Sequence, residues 1–192
     1  MHAWETLPDV LLHPAGPVTA EVVACGIRDF RAAGRYLHHL PYGRNTARAN
    51  FRLVLSERRG TCSTKHALLA ELAREQDIPI ALTLGIYQMH ERNTPGVGVI
   101  LSHYNLPFLP EAHCYLTYEE DRIDITRSGV EAAEPIANFL YEETILPAQI
   151  GEYKVDLHKR FLRCWLAENA TNGYSFDELW NIREECIAIL TQ

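Results

Sequence analysis

The stretch Arg59-Gly60-Thr61-Cys62-Ser63-Thr64-Lys65-His66-Ala67-Leu68-Leu69 decides how the chain is read. From Ala67 onward the pattern is helical. Leu68, Leu69, Leu72 and Ala73 recur at helical spacing, and Glu71, Arg74 and Glu75 lie opposite them. Thr61 suits the N-cap and Gly60 a tight turn before it. Cys62 then occupies the first turn, near the positive end of the helix dipole, where a thiolate is favoured over a thiol. On a helical wheel it falls between Leu69 and Ala73 and faces the interior. An inward cysteine is also ordinary core filler, so chemistry at Cys62 requires partners elsewhere in the chain.

Composition bounds what those partners serve. The 192 residues suit one domain with a sizeable core, residues 1–192, and apolar and charged contents of 47% and 22% are those of a soluble globular protein. A formal net charge of −7 argues against a nucleic-acid partner, which favours a basic face. No apolar run reaches membrane-spanning length, so no membrane partner is expected. Met1-His2-Ala3-Trp4-Glu5 carries no signal-peptide pattern. Cys25, Cys62, Cys114, Cys164 and Cys186 are an odd set without close spacing, which suits a reducing, cytoplasmic location rather than a disulfide framework.

Along the chain, the prolines up to Pro17 read as an irregular lead-in. Thr19 can cap a helix to about Leu40, with Val23, Ile27, Phe30, Gly34 and Leu37 on one face. A short helix over Phe51 to Glu57 precedes the cysteine helix, which stops near Asp77. Ile80 to Met89 reads as a buried strand. Residues 90–112 form a long connection with a short strand expected at Val97 to Leu101, and this connection is a candidate wall of a site. Residues 131–145 read as helical, stopped by Pro147. A helix follows over Val155 to Glu168, with Leu157, Phe161, Cys164 and Trp165 inward. Asn172-Gly173 is expected to turn the chain. The capping box Ser175-Phe176-Asp177-Glu178 opens the last helix.

Two segments supply partners for the cysteine. His113 to Tyr118 and Arg122 to Thr126 alternate around an acidic turn and read as a β-hairpin. Cys114, Leu116, Ile123 and Ile125 take one face; His113, Tyr115, Thr117, Asp124 and Thr126 take the other. A carboxylate beside an imidazole orients it, and a charged imidazole beside a thiol favours the thiolate. Cys62, His113 and Asp124 therefore have the chemistry of nucleophile, base and orienting group. The turn decides whether they meet. A two-residue turn at Glu120-Asp121 leaves Asp124 about 13 Å along the strand from His113. A turn at Glu119-Glu120 sets Asp124 opposite Tyr115 and diagonal to His113 at roughly 7–8 Å, within side-chain reach. The triad requires the earlier turn or an equivalent bulge.

The run from Arg59-Gly60-Thr61-Cys62 to Ile78-Pro79, with His113-Cys114-Tyr115-Leu116 and Ile123-Asp124-Ile125-Thr126, resembles the cysteine-helix, histidine-strand and aspartate-strand motifs of the transglutaminase-like superfamily. The resemblance covers roughly residues 57–126. It implies an α+β fold with a papain-like core at about residues 50–130. A central helix carrying the nucleophile packs on a small antiparallel sheet, with further N-terminal helices and a C-terminal helical extension at about 131–192. By residue-wise match it implies Cys62 as nucleophile, His113 as base and Asp124 as orienter. The Cys62 N–H is one oxyanion donor, and no cofactor or metal is implied. Asp77 stands where the family has the glycine of Gly-Ile-Pro, Cys114 follows the histidine, and His66 replaces a small residue. The implied activity is hydrolysis of an amide or acyl bond in a peptide or small molecule through an acyl-thioester. Acyl transfer to an amine and a non-catalytic binding module on the same fold are the alternatives. Arg58 and Arg59 could attract a substrate carboxylate. Cys62 and His66, one turn apart, also form a two-point metal pair, though no metal-binding motif accompanies them.

Overall fold

The computed structural model describes residues 2–129, 133–169 and 173–190. A 3-10 turn at Ala3–Thr6 leads to helices α1 (Pro17–Ala24), α2 (Phe30–His39), α3 (Leu53–Glu57) and α4 (Cys62–Glu75). Strand β1 (Ile80–Met89), helix α5 (Gly98–His103), and strands β2 (Leu109–Tyr118), β3 (Asp121–Ile123) and β4 (Phe139–Ile145) follow. After a 3-10 turn at Pro147–Ile150 come α6 (Glu152–Glu168) and α7 (Phe176–Ile189). The class is α+β, with one four-stranded antiparallel sheet in the order β3-β2-β1-β4. No helix among the described residues is long and apolar enough to cross a membrane.

Strand alternation divides the interior in two. Leu82, Leu84 and Ile86 of β1, with Ala112, Cys114 and Leu116 of β2, join the apolar stripe of α4 (Ala67, Leu68, Leu69, Leu72 and Ala73) in one core. The stripe extends to Phe30, Ala33 and Leu37 of α2, so the cysteine helix is buried between helices and sheet. Tyr87, Met89 and Leu109 belong instead to a second cluster with α5, α6 and α7.

The cysteine helix starts where the sequence predicts. The Thr61 hydroxyl accepts the Thr64 N–H at 3.4 Å, and the Thr64 hydroxyl accepts the Thr61 N–H at 3.0 Å, a reciprocal capping box. Gly60 is required by close packing, not by a left-handed backbone, because a Cβ there would lie 2.9 Å from Val54 Cγ2. Asp77, where the sequence resemblance expects a glycine, has φ +54°. That left-handed conformation is one aspartate tolerates better than most residues.

Five expectations are corrected. The single helix from Thr19 to Leu40 is two, broken at Gly26 (φ +84°). Asp29 restarts it by accepting the Ala32 N–H at 2.7 Å, while both halves keep inward residues on one core and so mimic one period. Thr19 is not the cap: its N–H and hydroxyl donate to the Glu75 carboxylate, which caps α1 from α4. The strand expected at Val97 to Leu101 is instead the start of α5, with Val97 as its N-cap. Phe139–Ile145, expected as helix, is the edge strand β4, paired with β1 through Leu82↔Ile145 and Gly85↔Glu142. Its aromatic and β-branched residues outweigh the helical propensity of its glutamates once β1 offers a pairing edge. In α6, Cys164 is exposed, and Lys154, Leu157, His158 and Leu162 are buried. Asn172 lies outside the described residues; the adjoining Gly173 has φ +82°.

Candidate active site

The β2–β3 register decides whether the imidazole and carboxylate meet. Tyr118 pairs with Asp121, Thr117 with Arg122 and Leu116 with Ile123, so the turn is Glu119-Glu120, with Glu119 at φ +54°. Continued one step, this register sets Asp124 level with Tyr115 and diagonal to His113. The His113 Nε2–H donates to Asp124 Oδ2 at 2.8 Å. That bond leaves Nδ1 for the cysteine.

The carboxylate is itself held. Asp124 Oδ1 accepts the Thr126 N–H at 2.9 Å and the Thr126 hydroxyl. Two consecutive residues of α4 fix the same segment. The buried Lys65 ammonium donates to Thr126 O at 2.7 Å and to Leu40 O at 2.6 Å. His66 accepts the Ile125 N–H on Nε2 at 2.8 Å and donates from Nδ1 to Cys62 O at 2.7 Å. These bonds assign His66 as neutral, and burial accordingly holds its pKa down to about 4. Both ring nitrogens are committed, so His66 is no metal ligand beside Cys62. Among the described residues no cluster of His, Cys, Asp and Glu could hold a metal.

Cys62 is buried at the N-terminus of α4. Burial alone would raise its thiol, but the Lys154 ammonium and then His113 outweigh it and lower the pKa to about 6. Burial likewise opposes a charged His113, yet Asp124 and the Cys62 thiolate raise that imidazole to about 10. Between those values the pair is thiolate and imidazolium. Cys114, behind His113 on the core face, is pushed the other way by burial, to about 11. Asp124 stays ionised far into acid, because His113 overcomes the cost of its burial.

Three features have no counterpart in the sequence expectations. Lys154 of α6 lies with Nζ 2.7 Å from Ser63 Oγ and 3.8 Å from Cys62 Sγ. Tyr42 is held beside the nucleophile by backbone bonds from Gly43 N–H to Gly60 O (3.2 Å) and from Gly60 N–H to Pro41 O (3.2 Å). Burial pushes its phenol well above the usual range, so the hydroxyl keeps its proton. The third is a buried bidentate pair, with Arg183 donating to Glu111 at 2.7 and 2.5 Å. Lys154 had a legible signal: it falls on the periodic inward positions 154, 157, 158 and 162, where a lysine is out of place. Tyr42 and the Glu111–Arg183 pair had none, since their partners lie far away in sequence. Arg58 and Arg59 border neither cavity at Cys62.

Those two cavities meet at the cysteine. The larger, about 510 Å³, is bordered by Cys62, His113 and Asp124 and walled by Tyr87, Tyr115 and Phe139. Asn93 and Thr94 of the long connection also line it. The smaller, about 80 Å³, lies toward Lys154 and Arg183. Tyr42 borders both. The arrangement can generate a thiolate at neutral pH, hold a proton on the opposed imidazole, and admit a molecule on either side of the sulfur. In comparisons with protein-family models, curated proteins and solved structures, nothing matches the chain.

Proposed function

We propose that the chain is a thiol-dependent hydrolase of amide or related acyl bonds, built on a transglutaminase-like, papain-like core. The observation that carries this reading is the Cys62 thiol set beside His113, whose other nitrogen is fixed to Asp124 at 2.8 Å. The placement of a cysteine at the start of a helix packed on an antiparallel sheet, with His113 on β2 and Asp124 one residue past the end of the neighbouring β3, supports the same core.

In this reading the Cys62 thiolate adds to the substrate carbonyl carbon. The negative oxygen that forms is met by the Cys62 backbone N–H, which as the first residue of α4 has no intrahelical acceptor, and by the Tyr42 hydroxyl. The carbonyl re-forms as the C–N bond breaks, and His113 Nδ1–H protonates the departing amine. Asp124 keeps the Nε2–H tautomer throughout. Water then gives a proton to Nδ1, attacks the thioester and releases the acid. His113 borders the larger cavity and not the smaller, so the amine leaves into the aromatic-walled space. A low thiol pKa and five unpaired cysteines suit a reducing, cytoplasmic setting.

The test is an acyl-trapping experiment. The protein is mixed with a p-nitrophenyl ester and the adducts are mapped by peptide mass spectrometry. The expected result is one acyl group on Cys62, formed much more slowly in His113→Ala. Adducts spread over the exposed Cys25 and Cys164, with Cys62 unlabelled, would overturn the reading.

A further inference from the structure

The smaller cavity carries charge that the mechanism above leaves unused. Its lining includes Arg44, Arg48, Lys154 and Arg183. Two of these are answered by carboxylates: Arg183 clasps Glu111, and Arg44 donates to Glu184 at 2.7 Å. Among the described residues neither Lys154 nor Arg48 forms a salt bridge, and Lys154 is only 9% exposed. His158, on the same wall, donates from Nε2 to Pro110 O at 2.9 Å and is held neutral by its burial. The chain as a whole carries −7, yet this recess beside the sulfur has a surplus of positive charge.

Before reaction the thiolate itself balances Lys154 across 3.8 Å. Once Cys62 carries an acyl group, its sulfur is neutral, and the nearby anion left to the buried ammonium is Glu111, already clasped by Arg183, so the ammonium is poorly compensated, which is costly. A charge that arrives with the acyl group removes that cost. Because the amine is placed on the His113 side, the acyl group falls on the Lys154 side, in a space of about 80 Å³.

Resting on the proposed hydrolase reading, we propose that the smaller cavity is an anion subsite for the acyl half of the substrate. The substrate class is then an amide of a short acyl group that ends in a carboxylate, held by Lys154 and Arg48.

Two alkylating reagents of nearly equal size test this. Iodoacetate delivers a carboxylate one carbon from the sulfur; iodoacetamide delivers a neutral amide to the same place. Both react with the same thiolate, so the ratio of their rates at one pH does not depend on how much thiolate is present. Rates are read cysteine by cysteine by mass spectrometry, with the exposed Cys25 and Cys164 as internal references. The expected iodoacetate-to-iodoacetamide ratio at Cys62 exceeds that of the references by about tenfold or more. It falls toward theirs in Lys154→Met and in Arg48→Gln; should the buried Lys154 variant not fold, the exposed Arg48 variant carries the comparison alone. Fast iodoacetamide labelling of Cys62 with a ratio equal to the references overturns the subsite and leaves the hydrolase reading standing. A high ratio that neither variant lowers overturns the assignment to Lys154 and Arg48. Slow labelling of Cys62 by both reagents overturns the hydrolase reading and the subsite with it.

Discussion

His66 and Cys62 are joined across one turn of α4 by a 2.7 Å hydrogen bond from the His66 Nδ1–H to the Cys62 carbonyl. The second ring nitrogen accepts the Ile125 N–H, one residue beyond Asp124. One imidazole thus sets the distance between the residue that carries the thiol and the segment that carries the carboxylate. It does so only while neutral, because a protonated ring has no acceptor for Ile125.

A pH dependence of stability follows. The folded pKa of His66 is about 4, below the unfolded value of about 6.5, so the unfolded chain binds the proton more readily. The stabilisation is present above pH 6.5 and is lost as pH falls through about 4, amounting to roughly 3 kcal/mol. His66→Leu cannot titrate. The stability gap between wild type and His66→Leu, from urea unfolding, should be widest above pH 6.5 and shrink toward pH 4. A gap that is flat across this range would mean that the ring matters only as packing.

The thiolate window is the second expected outcome. With Cys62 lowered to about 6 and His113 raised to about 10, iodoacetamide labelling of Cys62 should rise with a midpoint near pH 6, well below the ordinary thiol value of about 8.5. His113→Ala should move the midpoint upward. Asp124→Ala should move it further than Asp121→Ala, because Asp121 is an exposed residue at the start of β3. The reverse order would assign the orienting role to Asp121.

The cysteine helix, the β1 boundaries and the existence of the β2–β3 hairpin were legible because each rests on a local rule: a cap and a helical stripe, an apolar run, an alternation. The hairpin bounds were not, since β2 begins at Leu109 rather than His113 and β3 ends at Ile123 rather than Thr126. The Glu119-Glu120 turn was legible only conditionally, as the one register that lets His113 reach Asp124. Two of the departures from the resembled pattern have local explanations once the backbone is known. Asp77 is left-handed, and His66 bridges two segments. What escaped was decided at a distance. β4 exists because β1 has an open edge, and nothing within Phe139–Ile145 states that. Lys154 escaped because a helix starting at Val155, with its apolar stripe through Leu157, Phe161, Cys164 and Trp165, leaves it out, whereas the buried set is Lys154, Leu157, His158 and Leu162.

The Glu111–Arg183 pair should be among the most costly contacts to break. Glu111 is buried and Arg183 nearly so, and the carboxylate is held below its usual range because Arg183 outweighs its burial. Glu111→Ala leaves the guanidinium buried with only Glu184 to meet it, and the expected loss is about 3–5 kcal/mol in urea unfolding. Arg74→Ala, which breaks an exposed pair with Glu71 on the surface of α4, should change stability little. Equal effects of the two substitutions would mean that solvent reaches Glu111 despite its burial.

Gly85 sits at the centre of the sheet, opposite His113 on β2 and Glu142 on β4. A Cβ there would lie 2.3 Å from Phe139 Cδ1, so the missing side chain makes room for the ring. Phe139 in turn packs on Tyr115 and Tyr87, with centroid distances of 5.1 and 6.3 Å, in the wall beside His113. Gly85→Ala gains a little strand propensity but overpacks this wall, and the net expected cost is about 1–3 kcal/mol. The clash is with one ring, so the cost should be smaller in a Phe139→Leu background, with a coupling of about 0.5–3 kcal/mol in the double-mutant cycle. The measurement is urea unfolding of the four proteins in that cycle. If Gly85→Ala costs the same in both backgrounds, the glycine serves the backbone of the sheet and not the aromatic wall of the site.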